Sequence, residues 1–144
     1  MGTTTFSGPI KAGSVREGAS ANTGFAVMAQ SKVIDIIGAD AGDQVCAIVP
    51  ANSQIIDVIL NVTTVNNDSG AATVSVGTSG DPNAFLDAVN VKALGTTRGT
   101  LDTEATNVGT SDLSVLADFA GASDDGTTGA ATVTVVYMQN NNLS

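Results

Sequence analysis

The sequence predicts an all-β fold: an antiparallel, jelly-roll-like (Greek-key) β-sandwich of about eight strands with an extended N-terminal arm. Three observations lead there. Apolar and polar residues alternate over several short segments, the period-two signature of a strand with one face buried and one wet. Clusters of Gly, Asn, Asp, Ser and Thr separate those segments and supply turns. No segment repeats its apolar residues at helical spacing over a useful length. Hydrophobic residues make up 42% of the chain but aromatics only 3%, with no Trp, so the core must be built from Val, Ile, Ala and Leu.

The elements follow in chain order. Residues 1–24 are rich in Gly, Ser, Thr and Ala and read as the arm, with one short strand over Ile10 to Val15. Residues 25–139 form the sandwich, and 140–144 a polar tail. "FAVMAQ" and "KVIDII" make one long bent strand or a hairpin; "GADAGD" turns the chain into "QVCAIV". "QIIDVILNVTTV" alternates most clearly, which places Ile56, Val58, Leu60 and Val62 on the buried face. "NNDSG" then reads as a hairpin loop into "AATVSVG", with Val74 and Val76 inward. "AVNVKAL" is the next strand, followed by a Thr- and Gly-rich passage to Thr110. "SDLSVLADFA" puts Leu113, Val115, Ala117 and Phe119 on one face, and "AATVTVVYMQ" does the same for Val133, Val135 and Tyr137. Between two of these strands lies "VGTSGDPNAFLDAVNV". There Asp81 is placed to cap a helical turn, with Pro82 at its first position, where a missing N–H costs nothing. Phe85 would then plug one end of the sandwich.

Charge and composition remove whole classes of function. Fourteen acids against five bases give a net charge of −9. Binding to nucleic acid or to an anionic membrane surface needs the opposite sign. With no histidine, the chain has no Ser-His-Asp or Cys-His triad and no His-ligated metal. The single cysteine, Cys46, sits in an apolar run and reads as a small buried hydrophobe. Asp40, Asp43, Asp124 and Asp125 lie in Gly-containing loops, yet no EF-hand spacing is present and Asp in such loops is ordinary turn chemistry. "GTSGDP" lacks a Lys and carries an acid, so it is not a phosphate loop. The N-terminus has neither the charged nor the apolar region of a secretory signal, and no apolar run is long enough to span a membrane. The expectation is a non-enzymatic protein that stays soluble and uses no metal and no cofactor.

Three stretches carry a resemblance. "IVPANSQIIDVILNVTT" (Ile48 to Thr64), "VGTSGDPNAFLDAVNV" (Val76 to Val91) and "ATVTVVYMQ" (Ala131 to Gln139), with "FSGPIKAGSVRE" ahead of them, resemble the capsid decoration (cement, head-stabilisation) proteins of tailed bacteriophages. The resemblance implies a jelly-roll-like sandwich that binds the outer surface of an icosahedral shell. Its partners would be the major capsid protein and further copies of itself, as a trimer rather than a dimer. No catalytic residue is implied. The acidic charge agrees with an outer position, away from packaged DNA. In the arm, Phe6, Pro9 and Ile10 are the candidate docking residues. Lys11 and Arg16 are candidate contacts to an acidic partner. The alternative is a glycan- or receptor-binding module on the virion surface, disfavoured by a chain with no Trp and one Tyr.

Overall fold

A computed structural model describes residues 25–38, 42–101 and 108–140. The expected arm, its short strand over Ile10 to Val15, and the tail beyond Asn140 lie outside the described residues. So do Phe6, Pro9, Ile10, Lys11, Arg16 and Asp40.

Among the described residues there are eight strands: β1 (Phe25–Ile34), β2 (Gln44–Val49), β3 (Gln54–Thr64), β4 (Ala72–Gly77), β5 (Leu86–Asn90), β6 (Gly95–Arg98), β7 (Leu113–Gly121) and β8 (Ala130–Asn140). They form two four-stranded antiparallel sheets, ordered β1-β8-β3-β6 and β2-β7-β4-β5. The pairing has a simple logic: β1 with β8, β2 with β7, β3 with β6 and β4 with β5. The chain is one long hairpin, doubled back between β4 and β5 and then rolled so that successive pairs fall in alternate sheets. That is the jelly roll the alternation predicts.

Both inner faces are apolar and meet in one core. The first sheet contributes Val58, Leu60 and Val62 from β3, and Ala131, Val133, Val135 and Tyr137 from β8. The second contributes Val74 and Val76 from β4, and Val115, Ala117 and Phe119 from β7. Residues opposite one another on paired strands share a face, so the inward odd-numbered residues of β8 leave Thr132, Thr134, Val136 and Met138 on the outside.

Four sequence readings are corrected. Ile56 points outward, 39% exposed, and Ile55 is buried in its place. A bulge between Ile55 and Asp57 inserts one residue, and one residue of slip exchanges the faces. The segments around "NNDSG" are not a hairpin: β3 and β4 belong to different sheets, and the loop crosses between them. The crossing is made by the loop and not by either strand, so it leaves no signal in the alternation. The Thr-rich passage contains a short strand, β6, all four of whose residues are exposed; without a buried face it shows no apolar pattern. No helix forms at Asp81 and Pro82. The Ala84 N–H donates to the Asp81 carbonyl (3.3 Å), an i to i+3 reversal and not a turn of helix.

Candidate docking surface

The β4–β5 connection is a Gly-containing loop of the kind that can cradle a ligand. Its backbone folds onto itself instead. The Thr78 N–H donates to the Asp81 carbonyl (2.8 Å), and the Asp81 N–H donates to Thr78 Oγ1 (3.1 Å). The Phe85 N–H returns to the Val76 carbonyl at 2.9 Å. A Cβ on Gly77 would stand 2.2 Å from the Asp81 carbonyl oxygen, so only glycine lets the loop close this tightly. Phe85 is 2% exposed and packs into the core, Asp81 is half-buried and Pro82 is exposed. The space a ligand would need is filled by protein.

The described loops at the opposite end are also tied to one another, although the buried Asp68 Oδ2 has no hydrogen-bond partner there. Asn66 is buried; its Nδ2 donates to the Ile36 carbonyl (2.6 Å) and its Oδ1 accepts from the Asp68 N–H (2.7 Å). Asn67 Oδ1 accepts from the N–H groups of Thr127 and Thr128. Lys92 Nζ donates to the carbonyls of Asp68 and Gly70 (2.6 and 2.7 Å), tying the β5–β6 loop to the β3–β4 loop. Asp125 Oδ1 accepts the Ser69 N–H (2.8 Å), which holds its carboxyl below the usual carboxylate range. These contacts occupy Asp125 with the backbone, and Asp43 and Asp124 are exposed. Among the described residues, no three His, Cys, Asp or Glu side chains converge on a point.

What remains is the side of the sandwich where β1 and β2, the edge strands of the two sheets, run next to each other. Six of the ten large exposed hydrophobic side chains among the described residues lie here: Val27, Met28, Val33, Ile37, Val45 and Ile48. Val27 (64%), Val33 (67%) and Ile48 (52%) protrude most. Val27, Ala29, Ser31 and Val33 stand opposite Met138, Val136, Thr134 and Thr132, so they continue the outer face of β8. The ten residues of β1 and the six of β2 carry a single charge, Lys32. An extended apolar surface of this kind marks an interaction site more often than chance exposure does.

Two glutamines hold this side shut. The Gln30 amide donates to the Ile48 carbonyl (2.7 Å) and accepts the Ile48 N–H (3.1 Å), copying the two bonds of a strand pair. It also donates to the Tyr137 hydroxyl at 2.9 Å. Gln44 does the same to Asp35, accepting its N–H and donating to its carbonyl, both at 2.7 Å. The sheets are therefore joined by side-chain amides and not by a continuous ladder, and β1 has a strand neighbour on one side only. Beneath them Cys46 is buried, and desolvation pushes its thiol up to about 11. It is a core group and not a nucleophile.

Sequence reasoning did not find this surface. "FAVMAQ" and "QVCAIV" read as ordinary core-forming runs. The signal available was a negative one, apolar residues at both parities of the alternation on edge strands almost free of charge.

No protein-family model matches the sequence, and no curated protein matches it. Solved structures do. A chain of the cyanophage Pam1 capsid asymmetric unit superposes with a TM-score of 0.59 over 89% of this chain and 94% of that one, at 16% identity. A chain of the Helicobacter pylori bacteriophage KHP30 capsid does so with a TM-score of 0.62 over 82% and 94%, at 17% identity. The fold is thus one that also occurs within phage capsids.

Proposed function

We propose that this protein is a non-enzymatic structural component of a tailed-phage virion. It binds the outer surface of the capsid and stabilises the expanded shell. The observation that carries the reading is the jelly roll shared with chains of two phage capsids over 94% of those chains. The net charge of −9 supports an outer position, since packaged DNA repels an acidic protein. The arm, with Phe6, Pro9, Ile10, Lys11 and Arg16, is the element assigned to the major capsid protein. Repetition over a lattice turns modest contacts into avidity. Co-sedimentation of purified protein with expanded capsids that lack it is the test. Binding that weakens on deletion of residues 1–18 supports the reading, and protein left in the supernatant overturns it.

A further inference from the structure

We propose that the buried Asp68 carboxylate and the Gly38 carbonyl together hold a calcium ion, which fastens the β1–β2 connection to the β3–β4 loop. The inference goes beyond the virion reading and stands or falls without it. Asp68 is 2% exposed. Its Oδ1 accepts the Gly70 N–H (2.6 Å), but its Oδ2 is buried with no hydrogen-bond partner. A carboxylate oxygen left bare away from water is costly, and in a native protein an ion or an ordered water meets it. The side-chain donors around it are committed elsewhere. The Asn66 amide donates to the Ile36 carbonyl, and Lys92 Nζ donates to the backbone carbonyls of Asp68 and Gly70, which leaves Oδ2 bare.

The surroundings favour an ion over a water. A Cβ on Gly121, at the end of β7, would stand 2.9 Å from Asp68 Oδ2 and 3.3 Å from the Gly38 carbonyl oxygen, with Phe119 Cζ at 3.4 Å. Both oxygens therefore border one small space that glycine keeps clear of a side chain. Both are acceptors, which is all that a cation needs. A water there would find partners for its hydrogens but none in these two atoms for its lone pairs. The Asp125 carboxylate, on the neighbouring Ser69 N–H, adds negative charge in a chain that already carries −9. A set of carboxylate, carbonyl and completing water oxygens suits Ca²⁺, which tolerates irregular geometry, whereas Mg²⁺ demands a near-regular octahedron. With one carboxylate in the set, the dissociation constant belongs in the weak class of about 10⁻⁴–10⁻³ M.

The test is a titration of the purified full-length protein, stripped of metal by a chelator, with CaCl₂ at constant ionic strength and MgCl₂ as the comparison. Ca²⁺ should raise the melting temperature saturably by several degrees, and Mg²⁺ should do little. Asp68→Asn should abolish the rise, while Asp87→Asn, which removes an exposed carboxylate on β5, should keep it. Should Asp68→Asn fail to fold, amide chemical shifts of the wild-type protein locate the ion without a variant. Ca²⁺ should move the signals of Gly38, Asp68, Ser69, Gly70 and Gly121 and leave Phe85, at the other end, in place. An absence of any calcium dependence overturns the inference and assigns the Asp68 oxygen to an ordered water. A rise that Mg²⁺ matches, a rise that persists in folded Asp68→Asn, or shifts spread over the exposed carboxylates overturns it as well, as charge screening alone.

Discussion

The two ends of the sandwich are closed by different physics. The end formed by the β1–β2, β3–β4, β5–β6 and β7–β8 loops is closed by side chains that hydrogen-bond to backbone: Asn66, Asn67, Lys92 and Asp125. At the other end the β4–β5 hairpin is closed by an apolar plug, Phe85, held by backbone-to-backbone bonds from its own N–H to Val76 and from the Thr100 N–H to its carbonyl, while the β2–β3 and β6–β7 crossings beside it are tied by the Asp112 carboxylate accepting the Ala51 N–H. The first arrangement suits crossings between sheets, where strand ladders end and leave buried polar groups to satisfy. The second suits a hairpin within one sheet, where the ladder continues to the turn and only volume needs filling. The comparison teaches that local connectivity, more than composition, decides whether a loop is polar or apolar inside.

Breaking the apolar end should have the larger effect. Phe85→Ala removes a core ring and leaves a cavity, and should cost about 3–5 kcal/mol in chemical denaturation. A loss near zero would mean that the ring does not fill the end of the sandwich. At the polar end Asn66→Ala strips a donor from the buried Ile36 carbonyl and an acceptor from the Asp68 N–H. The expected cost is about 2–3 kcal/mol by the same measurement. A loss of only a few tenths would show that water replaces the amide there. The smallest effect is a pH dependence. Asp125 has a folded pKa below its ordinary value, so its contribution is present above the unfolded pKa and is lost as pH falls through the folded one. Asp125→Asn should therefore flatten the acid side of the stability profile by lowering stability slightly at neutral pH and leaving the acid end, where the carboxyl is protonated, nearly unchanged. An unaltered acid limb would show that the Ser69 contact has no energetic consequence.

The sandwich was legible in the sequence wherever a strand has one buried face over several residues. Val58, Leu60, Val62, Val74, Val76, Val115, Ala117, Phe119, Val133, Val135 and Tyr137 all point inward as their alternation predicts. It was illegible where pairing departs from that rule. The bulge that turns Ile56 outward adds a residue without altering composition. β6 pairs with β3 through Thr96 and Thr97 while burying nothing, so it carries no apolar imprint. The crossing from β3 to β4 is a tertiary fact, and "NNDSG" would serve equally well in a hairpin. The β1/β2 surface escaped for a related reason. Alternation separates core from solvent, but it does not distinguish a strand flanked on both sides from one that stands at an edge.

The register between β1 and β8 has a further consequence. Phe25 is aligned with Asn140, so the described chain enters and leaves the fold side by side, at the end plugged by Phe85. The eight strands amount to an almost closed circuit, interrupted at one corner. A short linker across that corner, with new termini opened in the β7–β8 loop, would preserve every strand pair as a circular permutant. It also means that a cargo fused after Asn140 would be tethered beside the point where the chain enters the fold at Phe25. A display scaffold built on this protein should instead carry its passenger on the opposite, hydrogen-bonded end.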